Sequence, residues 1–160
     1  MTRFRPASAG DVDAIVAMMR GYYEQDGYTF VEEEARAAAL MLISDASLGR
    51  LWVTRDGDAV VGYVAVTLGF SFEYRGREAF LDELFIAETH RGRGLGREAL
   101  DIAEAYCREA RVNALHLEVE RHRSNALELY KRRGFADHGR YLMTKWLTAS
   151  SPGPRGAGGP

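Results

Sequence analysis

The segment Arg91-Gly92-Arg93-Gly94-Leu95-Gly96-Arg97 concentrates the chemistry of an anion site. Three glycines let a backbone turn tightly and approach a ligand closely. The segment leads into a helical pattern, and a helix start offers unpaired N–H groups and partial positive charge. A pyrophosphate suits such a place, and three arginines add charge at its rim. Two rival motifs fail. The dinucleotide fingerprint needs glycine at its sixth position, which from Gly92 is Arg97, and no Gly-Lys-Ser/Thr ending marks a nucleoside triphosphate loop. The plain alternative is a glycine-rich turn with solvated arginines. A short distance upstream, Asp82 and Glu83 are carboxylates in an otherwise apolar run.

Other reactive residue types carry less. His90, His116, His122 and His138 are scattered without metal-ligand spacing, so no metal site is expected. Cys107 is the only cysteine, which excludes an internal disulfide and fits a reducing cytoplasm. It falls on an amphipathic helical pattern with no evident base, the setting of a buried structural thiol.

The elements that must position these residues can be read along the chain. At 160 residues and 46% hydrophobic composition, the sequence has the size and apolar content of one globular domain. A formal net charge of -2 gives no basic excess for nucleic acid. The first residues lack the apolar run of a signal peptide, and no stretch approaches the ~20 apolar residues of a membrane span. Thr2 to Arg5 alternates as a short strand ended by Pro6. Ser8 and Asp11 form a capping-box-like start to a helix running to about Tyr23. Asp26-Gly27 marks a turn. A second helix is predicted over about Val31 to Ile43, with Glu32, Glu33 and Glu34 in its first turn. The helix dipole explains that acidic run, and a substrate-binding role is the alternative.

Leu51 to Val53 and Val60 to Leu68 read as strands joined at Asp56-Gly57. Phe70 to Arg77 reads as a loop, followed by a strand over Ala79 to Ala87. Gly94 to Ala110 is a strongly periodic helix, with Leu95, Ala99, Ile102, Ala103, Tyr106 and Ala110 on its core face. A strand over Leu115 to Glu120 and a helix over about Asn125 to Arg133 follow, the helix stopped by Gly134. Phe135 to His138 and Tyr141 to Trp146 complete the pattern as two short strands. The expected architecture is a single α/β (α+β) domain over residues 1–147, a mixed, mostly antiparallel seven-stranded sheet flanked by about four helices. Residues 148–160 are rich in Gly, Pro and Ser and read as a disordered tail.

With the elements placed, the chain resembles the GCN5-related N-acetyltransferase (GNAT) superfamily. The residues carrying the likeness are Arg91-x-x-Gly94-x-Gly96 after a strand, Leu129-Tyr130 near a helix end, and Gly134-Phe135 beyond it. A narrower likeness to the diamine (spermidine/spermine) acetyltransferases rests on Leu81 to Ile86, Arg91-Gly92-x-Gly94-x-Gly96 and Tyr130 to Gly134. The resemblance implies acetyl-CoA as donor, with Leu84, Phe85 and Ile86 pairing with its pantetheine arm and Arg91 to Arg97 holding its pyrophosphate. It also implies Tyr130 beside the cofactor sulfur. Many members carry Asn seven residues before that tyrosine; here the position is Arg123, and Asn125 is the nearest substitute or simply part of the helix start.

An amine acceptor is mostly protonated at pH 7, so transfer needs a base, an oxyanion donor and an acid for the leaving thiolate. Asp82, with Glu83 close behind, is the expected base, and Glu118 is the third choice. Strand alternation would turn Asp82 and Glu83 to opposite faces. Tyr130 is the expected acid, with a core tyrosine as its alternative, and a backbone N–H near Leu84 or Phe85 the oxyanion donor. Tyr22, Tyr23, Tyr28, Phe70, Phe72 and Tyr74 read as loop aromatics that either shape an acceptor pocket, pack under loops or meet a second subunit. The expected protein is a cytoplasmic homodimer acetylating a small primary amine such as a polyamine or amino-acid-like amine. The alternatives are acetylation of protein N-termini or lysines, and a non-catalytic acyl-CoA-binding module.

Overall fold

The computed structural model describes residues 3–25, 27–120 and 124–147. Thr2, Asp26, His122, Arg123 and the 148–160 tail lie outside these, as does the side chain of Ser124. The elements are β1 (Phe4–Pro6), α1 (Val12–Gln25), α2 (Glu32–Ser44), β2 (Gly49–Asp56), β3 (Ala59–Ser71), β4 (Gly76–Ile86), α3 (Leu95–Glu109), β5 (Ala114–Leu117) and α4 (Ser124–Arg132). They build one sheet in the order β1-β2-β3-β4-β5. The first four strands are antiparallel and β5 joins β4 in parallel.

Two apolar faces cover the sheet. Trp52, Val64, Val66, Ala79, Leu81 and Ile86 pack against Leu95, Ala99, Leu100, Ala103, Tyr106 and Cys107 of α3. Leu51, Val53, Tyr63 and Ala65 face the opposite way, against Ile15 of α1 and Leu42 and Ile43 of α2. Burial of β3 on both sides accounts for its nearly unbroken apolar sequence. The expected α3 face holds for Leu95, Ala99, Ala103 and Tyr106 and is widened by Leu100 and Cys107. The Cys107 thiol is buried and pushed up to about 11 by desolvation, so it stays inert at neutral pH.

The start of α1 is fixed by charge. Asp11 is 1% exposed. Its carboxylate accepts hydrogen bonds from Arg5 at 2.9 and 2.7 Å, Arg55 at 3.0 Å, and the Ser8 N–H and hydroxyl at 2.8 Å each. Arg5 chiefly, with Ser8 and Arg55, holds the Asp11 carboxyl well below the usual carboxylate range.

The sheet differs from the sequence expectation at its end: among the described residues there are five strands, not seven. Phe135 to His138 and Tyr141 to Trp146 form no strand. Alternation specifies a strand only where one face is buried. Tyr141 and Met143 are 88% and 89% exposed, and Leu147 87%, so extension would bury nothing here. Arg140 instead ties the segment down through both oxygens of Glu73, at 2.9 and 2.7 Å. The predicted Phe70 to Arg77 loop is also shorter, since β3 runs to Ser71 and β4 starts at Gly76.

Candidate active site

β4 carries an irregularity at its centre. Val66 pairs with Leu81 and Ala65 with Glu83, so Asp82 is an extra residue without a cross-strand partner. The bulge flips the faces beyond it: Ala79 and Leu81 face α3, but after Asp82 it is Leu84 and Ile86 that do so, with Phe85 facing α1. Asp82 therefore falls outside the regular alternation on which the opposite-face expectation rests. An extra residue interrupts the two-residue period, and both carboxylates border one cleft.

The same point is where β4 loses its neighbour. Pairing with β5 ends at Leu81–Leu117, leaving Asp82 to Ile86 with no strand on that edge among the described residues. Among the described residues α4 closes the far side of the gap, with Leu129 and Tyr130 packed onto the α3-side core. The Tyr130 ring meets Phe135 edge-on at 5.8 Å. The cleft, of ≈ 2820 Å³, is lined by Asp82 to Ile86, Gly92, Gly94, Gly96, Arg97, Asn125 and Tyr130. Single-ligand sites occupy roughly 300–1,000 Å³, so there is room for two substrates together.

The glycine segment forms one rim. Gly92 and Gly94 have φ of 74° and 82°, values that disfavour any side chain. Gly94 caps α3, and the first internal bond runs from the Glu98 N–H to the Gly94 carbonyl. The preceding amides have no intrahelical partner, as at any helix start. The arginines divide. Arg91 is turned back, its Nε donating to the Ile86 carbonyl at 2.9 Å, while Arg93 and Arg97 remain exposed. Arg3 braces the loop from behind, donating to the Arg93 carbonyl and pairing with Glu98 at 2.5 Å. This cradle, together with the unpaired edge of β4, fits a phosphorylated pantetheine carrier.

The other rim is aromatic and acidic. Tyr23 Oη donates to Glu83 at 2.5 Å and Tyr63 Oη donates to its other oxygen at 2.7 Å. Desolvation raises the Glu83 carboxyl above its ordinary value, the two phenols oppose that rise, and Asp82 adds to it. Asp82 is open to the cleft and has no hydrogen-bond partner among the described residues. The protein around it still desolvates it enough to raise its carboxyl. Glu118 also titrates high, from desolvation first and then from Asp82 and Glu120. Tyr28 donates to Glu120 at 2.8 Å.

The aromatics sort by tertiary position. Tyr22 and Tyr23 belong to α1, not a loop, and line the cleft with Tyr28 and Tyr74. Phe70 and Phe72 lie away from it, 67% and 92% exposed. Glu32 is engaged by Arg20 and Arg36, whereas Glu34 borders the cleft. Sequence reasoning passed over Tyr63. Its signal was a phenol inside a buried strand, which needs a hydroxyl partner, beside another buried strand that carries an acid. No group of His, Cys, Asp and Glu able to hold a metal occurs among the described residues, and no helix there is long and apolar enough to cross a membrane.

Comparison with known proteins agrees with this geometry. The profile of the Acetyltransferase (GNAT) family matches residues 12–135. An IAA acetyltransferase of Azospirillum brasilense is 28% identical over 127 residues, 79% of this chain and 80% of that protein. A streptothricin acetyltransferase of Streptomyces lavendulae is 33% identical over 84 residues, 52% of this chain and 42% of that protein. The crystal structure of an integron cassette protein from the mobile metagenome of Cole Harbour Salt Marsh superposes with a TM-score of 0.80 at 35% identity, covering 91% of each chain. None of these three carries a diamine acetyltransferase name, so the narrower likeness stands on the motifs alone.

Proposed function

The chain is an acetyltransferase of the GNAT family, and from that premise we propose that it acetylates a small primary amine by direct transfer from acetyl-CoA. One observation carries the reading: the bulge at Asp82 sets an open carboxylate where β4 parts from β5, across from the glycine cradle at the start of α3.

Bound acetyl-CoA supplies the acetyl thioester. Amides of Gly92 to Arg97, with Arg93 and Arg97 at the rim, hold the pyrophosphate. Leu84, Phe85 and Ile86 offer the free edge of β4 to the pantetheine arm, with Asn125 at the cofactor side of α4. Arg91 contributes by fixing the loop through Ile86. Asp82 takes a proton from the acceptor's ammonium and frees the lone pair that attacks the thioester carbon. An N–H near Leu84 or Phe85 steadies the oxyanion. As the C–S bond breaks, the nitrogen gives up its second proton to the medium and the Tyr130 hydroxyl gives its own to the sulfur, regaining one from the medium; the products are an acetamide, a free thiol and the proton left on Asp82. Glu118 follows Leu117, the cross-strand partner of Leu81, feels the Asp82 charge and borders the same cleft, so it stays the third candidate for the base.

A cleft large enough for both substrates supports a ternary complex rather than an acetylated enzyme. A single buried thiol agrees with a cytoplasmic setting, and exposed Tyr141, Leu142 and Met143 offer surface to a second copy. The test is thiol release from acetyl-CoA with polyamines, amino acids, aminoglycosides and short peptides as acceptors. Turnover with a small primary amine is expected. Tight binding of coenzyme A without thiol release from any amine would sink the reading.

A further inference from the structure

Asp82 and Glu83 adjoin each other in the chain yet are built differently. Asp82 stands open at the bulge. Glu83 is held at both oxygens by phenols from two different elements, Tyr23 of α1 and Tyr63 of β3. Those phenols are fixed in turn. Tyr63 stacks on Phe85 at 5.9 Å. Tyr23 is wedged edge-on among Tyr22, Tyr28 and Phe30 at 5.7 to 5.8 Å. A carboxylate has about four lone-pair sites, so two phenol donors leave capacity for a ligand. Glu83 still lines the cleft with part of its surface accessible.

We infer that Glu83 is the docking carboxylate for the ammonium head of an alkylamine acceptor, with Tyr23 and Tyr63 as the positioning residues that keep it fixed and charged. This rests on the proposed amine acetylation. The groups facing Glu83 are Tyr22 and Tyr23 from α1, Tyr63 from β3 and Asp82 from β4, with Glu34 of α2 on the same cleft. Among the described residues no lysine or arginine contributes to the titration of Glu83; the basic residues of the cleft, Arg91, Arg97, Lys131, Arg133 and Arg140, belong to other parts of its lining. Burial alone would favour a neutral Glu83, and a neutral acid attracts no cation. Two O–H donors directed at its oxygens stabilise the anion, and the arriving ammonium supplies the missing positive charge. A carboxylate that already accepts two strong hydrogen bonds is also a poorer proton acceptor than its unbound neighbour, so proton removal belongs to Asp82.

The experiment is steady-state kinetics of the full chain against pH, with an alkylamine from the acceptor screen and an arylamine that is neutral at pH 7. Glu83→Gln should raise KM for the alkylamine about 10- to 100-fold, the size of one lost charge-assisted bond. Its kcat should stay within about fivefold, and KM for the arylamine should be unchanged. Tyr23→Phe and Tyr63→Phe should each move the acid limb of kcat/KM to higher pH, since each removes a donor that favours the charged form. The acid limb of kcat should stay in place. A collapse of kcat in Glu83→Gln at unchanged KM would overturn the inference by making Glu83 the base. An unmoved kcat/KM limb in both phenylalanine variants would overturn it as well, and these variants keep the test open should Glu83→Gln misfold. Wild-type protein that acetylates no amine would end the functional proposal and this inference together; an unmoved limb ends the inference alone, and a collapse of kcat in Glu83→Gln ends it while shifting the base from Asp82 and leaving amine acetylation in place.

Discussion

The two rims of the cleft are made of different material. The proposed donor rim is main chain: amides released by Gly92 and Gly94, a helix start and the edge of β4 beyond its pairing with β5. The proposed acceptor rim is side chain: Tyr23 and Tyr63, from two other elements, set around the Glu83 carboxylate. Main-chain recognition suits a ligand that never changes, because it depends on backbone shape and tolerates drift in most side chains. Side-chain recognition can be rewritten by single substitutions. One fold can thus keep its donor and exchange its acceptor.

The sharpest way to break this contrast is at Gly94. Gly94→Trp should weaken coenzyme A binding about 10³-fold, equivalent to losing a few charge-assisted bonds of ~1.5–3 kcal/mol. Calorimetric titration measures it, with the circular dichroism spectrum unchanged. Retained affinity would move the donor site elsewhere. Asp82→Asn should lower kcat by about 10²–10³-fold with KM for acetyl-CoA nearly unchanged. An effect on the acetyl-CoA KM instead would blur the two rims. Tyr130→Phe should lower kcat about 10²-fold with little loss of cofactor affinity; turnover equal to wild type would return Tyr130 to the core.

The smallest effect concerns what holds the acceptor wall upright. α1 carries Tyr23, and its start is anchored by Asp11 to Arg5 and Arg55. Asp11→Ala should cost about 2 kcal/mol in denaturant unfolding, since it removes charge-assisted bonds while leaving half-exposed arginines solvated. The Asp11 carboxyl titrates lower in the folded state than in the unfolded chain. Its stabilisation is therefore complete above the ordinary carboxylate range and is lost as pH falls through the depressed folded value. Wild-type stability should decline on acidification more steeply than that of Asp11→Ala. Hydrogen exchange should show α1 loosening before the start of α3; loosening of both together would mean the rims share one support.

The donor rim was legible because each of its parts is local. Glycine spacing, the strand before it and the periodic helix after it sit within a few turns of chain, and so does the Ser8–Asp11 cap. The acceptor rim was legible only in part. Asp82 and Glu83 stood out as acids in an apolar strand, but no residue type announces the bulge that puts Asp82 out of register opposite Ala65 and Val66. Tyr63 was hidden in a run read as plain core. The segments after Gly134 alternate like strands, yet Tyr141 and Met143 find no face to cover.

What the sequence alone determined was the order and type of most elements, the glycine-marked helix start and the family of chemistry, since short-range backbone rules act within a few residues. Tertiary structure alone decided which carboxylate is open and which is gripped. It did so because α1, β3 and β4 bring Tyr23, Tyr63 and Glu83 together across 60 and 20 residues of chain, and hydrogen bonds depend on where side chains end, not on where they begin.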